Sequence, residues 1–179
     1  MFFQQNHKNI VKLQRNLARK KKGSNHRKQA KRQLGKAYKK LYDSRRDYFF
    51  KLAKDLTETY DYIFLEDLNI KAMMQSGFKG WGKKIADLSF SEFIKILEYQ
   101  ATKNGCVVHK VDRYFPSSKT CFECGSINKE LNLDDRDWQC PSCNSVLNRD
   151  LNASKNIARE GVSSLGLDLV SRDYHAKIT

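Results

Sequence analysis

The chain has 179 residues, room for one domain or for one domain with a small metal-bound module. Its 34 Lys and Arg against 20 Asp and Glu give a formal charge of +14, and residues 1–54 alone hold 18 basic and two acidic side chains, a net of +16 that leaves −2 for the rest. No apolar run nears the roughly 20 residues that cross a bilayer, and MFFQQNHKNI has no signal-peptide core, so the expected setting is a reducing cytoplasm with no membrane and a polyanionic partner, nucleic acid first.

Residues 7–20 set Ile10, Val11, Leu13 and Leu17 among basic side chains and predict a weakly amphipathic helix. KKKGSN (20–25) interrupts it. Gly23 stops one helix, and Ser24 or Asn25 can cap the next. That second helix is expected to reach about Thr57, because Ala30, Leu34, Ala37, Tyr38, Leu41, Tyr48, Phe49, Leu52 and Leu56 recur at steps of three and four. Residues 1–58 thus read as a basic helical hairpin. Its expected nucleic-acid contacts are Lys12, Arg15, Arg19, Lys20, Lys21, Lys22, Arg27, Lys28, Lys31 and Arg32. The plainer reading is a charged, solvated helix.

The texture changes at Tyr60. Four apolar residues, Tyr62 to Leu65, suit a strand buried on both faces, and Glu66 ends it. Residues 71–88 carry three glycines and no steady period, which predicts a loop. Ser89 with Glu92 three residues on has the pattern of a capping box, opening a helix that carries Phe93, Ile94, Leu97 and Ala101 and ends at Gly105. CVVHKVD (106–112) is a second strand, closed by Pro116. The tail, 161–179, gives only weak helix signals.

CFEC (121–124) and CPSC (140–143) are 15 residues apart. Two Cys-x-x-Cys turns present four thiolates, the tetrahedral sulfur set that zinc prefers, so Cys121, Cys124, Cys140 and Cys143 are expected to hold a structural zinc in a ribbon over 117–146. A redox Cys-x-x-Cys and an iron–sulfur cluster are the alternatives. Trp138, Phe122 and Leu133 are expected to fill the ribbon, and Cys106 is expected in a core. In LNRDLNASKNI (147–157), Asp150 opens a helix with Ala153 and Ile157 on its buried face. It reads either as the helix N-cap or as a metal ligand. Glu66 at a strand end is open in the same way, with Asp67 beside it.

VDRYFPSSKTCFECG, CPSC and NRDLNASKNIA, taken in order with FLEDLNIKAM (64–73) and KLQRNLARKKKGSNHRKQAKRQLGKAY, resemble the TnpB proteins, transposon-associated RNA-guided DNA nucleases related to type V CRISPR effectors. The resemblance spans residues 2–160. It implies an α/β fold: an incomplete RNase H-like, RuvC-type nuclease core (59–116 and 147–160) with the basic hairpin and the zinc ribbon as insertions. It implies that Glu66 and Asp150 are the second and third of three catalytic acids around Mg²⁺, and that guide RNA and DNA are partners. Two Mg²⁺ about 4 Å apart would activate water and stabilise the leaving oxygen.

Two departures qualify this. The family's first acid precedes the hairpin, whereas here no Asp or Glu precedes Asp43. The family's His-Asp-Arg-Asp is Leu147-Asn148-Arg149-Asp150 here. The expectation is therefore the C-terminal part of a TnpB-type nuclease, cleavage-incompetent alone, either decayed or completed by a separately encoded N-terminal portion. The alternatives are a non-catalytic zinc-ribbon protein that binds nucleic acid or regulates, and a zinc-stabilised interaction protein.

Overall fold

The computed structural model describes residues 2–75, 89–132 and 134–167. They form two units, residues 1–60 with 70–106, and residues 61–69 with the chain from 107 onward.

The first unit is helical. Helix α1 (Phe2–Ala18) and helix α2 (Asn25–Thr59) form the expected hairpin. Ser24 is the N-cap of α2, its hydroxyl accepting from Arg27 N at 3.2 Å, and Gly23 takes the left-handed turn before it with φ +84°. At 35 residues, α2 is about 52 Å long at 1.5 Å per residue. Its buried positions are Ala30, Leu41, Ala53 and Thr57. Tyr38 and Tyr48, read as apolar-face residues, are exposed instead. A phenol satisfies both apolar packing and water, so periodicity alone does not place it. Tyr38 still serves the hairpin, its OH accepting from Gln14 Nε2 at 2.6 Å.

A short helix α3 (Ile70–Gln75) stands where a loop was expected from 71; residues 76–88 lie outside the described residues. Helix α4 (Phe90–Asn104) packs on α2 through Phe49 against Phe93, rings 5.3 Å apart, and Asn104 Nδ2 donating to Thr57 Oγ1 at 2.8 Å. Gly105 closes α4 in the left-handed conformation as predicted. The capping box does not form. Ser89 is itself left-handed (φ 50°) and makes no side-chain cap, because its hydroxyl accepts from the Arg45 guanidinium instead.

The second unit contains the sheets. Strand β1 (Tyr62–Glu66) pairs in parallel with β2 (Val107–Val111), Glu66 opposite Val111. All five β1 residues are half-buried rather than buried on both faces. Among the described residues β2 is its one strand partner, so the sheet gives β1 a single covered edge. Strands β3 (Asp137–Gln139) and β4 (Val146–Asn148) form an antiparallel pair. Helix α5 (Arg149–Ser164) follows β4 without a linker and packs on β1 and β2. Gly161 meets the Phe64 ring, and Ser164 Oγ lies 2.9 Å from His109 Nε2. Among the described residues, no helix is long and apolar enough to cross a membrane.

Candidate functional site

The four paired cysteines converge. Their sulfurs lie within 4.8 Å of one another, and among the described residues they are the one group of three or more metal-ligating side chains so placed. The two knuckles are built alike. In the first, Gly125 N donates to Cys121 O at 2.9 Å and Cys121 N to Ser126 O at 2.8 Å. In the second, Asn144 N donates to Cys140 O and Cys140 N to Ser145 O, both at 2.9 Å. The residue after each pair is left-handed, Gly125 at φ +76° and Asn144 at φ +62°. Glycine and asparagine are the residues that enter this region most easily.

Sulfur separations test the fit to a metal. Four sulfurs about 2.3 Å from one ion form a tetrahedron with edges of about 3.8 Å. Cys121 and Cys143 sulfurs are 3.7 Å apart, and those of Cys124 and Cys140 are 3.6 Å apart. Those spacings suit a shared ion and are far beyond the roughly 2.05 Å of a disulfide; all are free thiols. Burial pushes the Cys121 thiol up to about 12, while the Ser126 hydroxyl draws Cys140 down to about 6 and lowers Cys124. Backbone N–H groups aid the sulfur of each leading cysteine: Glu123 and Cys124 for Cys121, Ser142 and Cys143 for Cys140. With four protein sulfurs the set is closed, suited to structure rather than to catalysis.

Around the thiols, Leu131, Trp138 and the partly buried Leu147 fill the ribbon. Trp138 was foreseen. Leu133 lies outside the described residues. Phe122 is not part of that filling: Arg159 and Lys155 sit over its ring at 4.5 and 5.3 Å. Cys106 is buried, as expected.

Glu66 and Asp150 both belong to the second unit. Glu66 closes β1 beside Val111, and the chain leaving β2 there runs to Ser117 and Thr120, whose carbonyls the N-terminal half of α5 binds. Glu66 is half-buried and Asp150 exposed. Asp67 is committed elsewhere, to an ion pair with Arg113. That pair borders an open cleft of about 520 Å³ also lined by Lys110, Asp112 and Tyr114. Nor is Asp150 the helix cap. Asn148 caps α5, accepting from Leu151 N at 3.2 Å, while its Nδ2 donates to Asp137 Oδ1 at 2.9 Å. Asp150 is left in the first turn, where the helix dipole favours its charge.

The α5 face that sequence reasoning assigned to Ala153 and Ile157 is carried by polar residues. Asn152 and Asn156 are 2% and 0% exposed, whereas Ala153 and Ile157 are half-buried. Asn152 Oδ1 accepts from Phe122 N at 2.9 Å and its Nδ2 donates to Thr120 O at 2.7 Å. Asn156 Nδ2 donates to Ser117 O at 2.9 Å and to Thr120 O at 2.6 Å. Arg159 donates to Phe122 O and to Asn156 Oδ1, both at 2.8 Å. Two poor helix formers four residues apart were the available signal.

On the hairpin, Lys8, Lys12 and Arg15 fall on one face of α1 and, with Arg19 just past its end, line a cleft of about 410 Å³. Of the ten basic residues predicted as contacts, nine are exposed. Arg27 is half-buried and closes the hairpin turn, its Nη1 donating to Leu17 O at 2.9 Å and Lys20 O at 3.0 Å.

A family model described as "Probable transposase" matches residues 1–77, and one described as "Cas12f1-like, TNB domain" matches 90–157. A "Putative RNA-guided DNA endonuclease" of Streptomyces pristinaespiralis is 34% identical over 87% of this chain, and "TnpB-like protein L79" of Acanthamoeba polyphaga mimivirus is 32% identical over 86%. The chain belongs to the TnpB family. It spans 38% and 29% of those two TnpB relatives' lengths. The fold is also that of part of a chain in the "Cryo-EM structure of the Cas12f1-sgRNA-target DNA complex", with a TM-score of 0.58 and 20% identity, covering 84% of this chain and 40% of that one. The two matches divide the TnpB motifs: the first holds the hairpin and Glu66, the second the four cysteines and Asp150.

Proposed function

We propose that these residues are the C-terminal part of an RNA-guided DNA endonuclease, in which Glu66 and Asp150 are two of the carboxylates that hold catalytic Mg²⁺, the four cysteines hold a structural zinc, and the basic hairpin holds nucleic acid. The observation that carries this is that Glu66, at the end of β1, and Asp150, in the first turn of the helix that packs on β1 and β2, are 84 residues apart in sequence yet belong to one unit, and neither carboxylate group makes a hydrogen bond or ion pair among the described residues. A paired or capping carboxylate would be structural; these two are left available. Hard oxygen ligands suit Mg²⁺, which when bound supplies an activated water and stabilises a leaving oxygen. The zinc thiolates cannot take that role, being soft and closed. The exposed stripe of Lys8, Lys12 and Arg15 on α1, continued by Arg19, offers sequence-independent phosphate contacts to guide RNA or DNA. Four free thiols fit a reducing cytoplasm.

On this reading the 179 residues alone supply two carboxylates of three, so alone they bind nucleic acid without cutting it. The test is a Mg²⁺-dependent cleavage assay of the purified chain on single- and double-stranded DNA. No cleavage is expected. Robust cleavage abolished by Asp150→Ala would overturn the claim that these residues are incompetent alone.

A further inference from the structure

We propose that Asn152, Asn156 and Arg159 are positioning residues through which the ribbon's metal fixes the first turn of α5, and with it Asp150. The importance for Asp150 rests on the proposed nuclease reading; the coupling itself does not.

Asn152 binds the backbone on both sides of one metal-site cysteine. Its amide accepts from Phe122 N and donates to Thr120 O, the neighbours of Cys121. Asn156 adds Ser117 O and a second bond to Thr120 O, and Arg159 adds Phe122 O and stacks on that ring. Both side-chain polar atoms of each buried asparagine are used, which makes the pair rigid rather than adaptable. The other connection is covalent. Five residues after Cys143, Asn148 ends β4 and caps α5. Cys121 and Cys143 are the pair whose sulfurs lie 3.7 Å apart.

A metal joining those two sulfurs therefore closes a ring: from the ion through Cys143, β4, Asn148 and the first turn of α5 to Asn152, then through residues 120–122 to Cys121 and back. Asp150 lies inside that ring, between Asn148 and Asn152. Without the ion the ring is open at the sulfurs, and the turn is held from one side fewer.

Amide hydrogen exchange on the 179-residue chain, with and without one equivalent of zinc, tests this. Zinc is expected to slow exchange over residues 148–156 by at least about tenfold. Asn152→Asp keeps the acceptor for Phe122 N and loses the donor to Thr120; Arg159→Ala removes an exposed partner and is the variant least prone to unfold. Both are expected to take up one metal, with a thiolate Co²⁺ spectrum like the parent's, while the zinc-dependent slowing in 148–156 shrinks and that within 121–143 persists. A merely structural role would change exchange equally with and without zinc. Exchange in α5 that ignores zinc in the parent chain, or variants that keep the full zinc response, would overturn the proposal. A ribbon that takes no metal overturns it together with the zinc reading. The cleavage assay judges the nuclease reading separately, and neither of its outcomes alters the exchange result.

Discussion

Gly161→Ala should destabilise the second unit although alanine is the better helix former. A Cβ at 161 would sit 2.0 Å from Phe64 Cδ1 and 2.6 Å from its Cε1 and Cγ. Carbon contacts settle at about 3.5–4.0 Å, so the ring must retreat by about 1.5 Å. It has little room: Tyr62 stacks parallel to it at 6.3 Å and His109 meets it edge-on at 6.2 Å. Overpacking of this kind costs about 1–3 kcal/mol, against about 1 kcal/mol gained in helix propensity. The net loss should be up to about 2 kcal/mol, or up to roughly 8 °C in Tm at this chain length. Gly35→Ala is the control, since Gly35 is also helical and has nothing within 4 Å of its Cβ position. It should stabilise by up to about 1 kcal/mol. Thermal and urea unfolding of both variants, with Phe64→Leu/Gly161→Ala to relieve the clash, gives the comparison. Should Gly161→Ala match Gly35→Ala in sign, or the double variant show no relief, the packing argument fails.

Cys140→Ser should lower zinc content below about one per chain and loosen the Trp138 environment, read by metal analysis and near-ultraviolet dichroism; full retention of zinc would refute the ligand set. Burial keeps Cys121 protonated at neutral pH, so zinc uptake must release a proton and weaken as pH falls, and an affinity independent of pH would contradict this. Asn148→Ala removes the α5 cap and should cost about 1 kcal/mol in unfolding free energy, whereas a neutral result would mean the cap is dispensable. Replacing Lys12, Arg15 and Arg19 by Gln should reduce the slope of log K against log salt by about 2–3 for any nucleic-acid sequence, and an unchanged slope would remove the α1 face from the interface.

Local signals carried the parts of this fold that local physics decides. Gly23 with Ser24, Gly105 and the two Cys-x-x-Cys pairs each solve a problem within a few residues, and each sits where its sequence predicts. Ser89 carried an equally clear local signal and failed, because Arg45, 44 residues away, claims its hydroxyl. Asp150 lost the cap to Asn148, a choice between two good capping residues that spacing does not rank. Asn152 and Asn156 were the largest omission. A search for apolar periodicity passes over buried amides, whose burial is made tolerable only by carbonyls 30 to 40 residues earlier in the chain. That Glu66 and Asp150 share one unit was likewise beyond spacing, since it depends on the parallel pairing of β1 with β2 and on the packing of α5 against them.

CFECGS and CPSCNS answer one backbone requirement with different residues, and so leave the ribbon unevenly tolerant of mutation. Nothing crowds Gly125, so what forbids a side chain there is its φ of +76° alone. Most single-base changes at that codon therefore strain the first knuckle. Asn144 already bears a side chain at φ +62°, and asparagine, aspartate and glycine are interchangeable there at little cost. The first knuckle is brittle and the second forgiving, and drift in this lineage should accumulate at residue 144 long before it reaches residue 125.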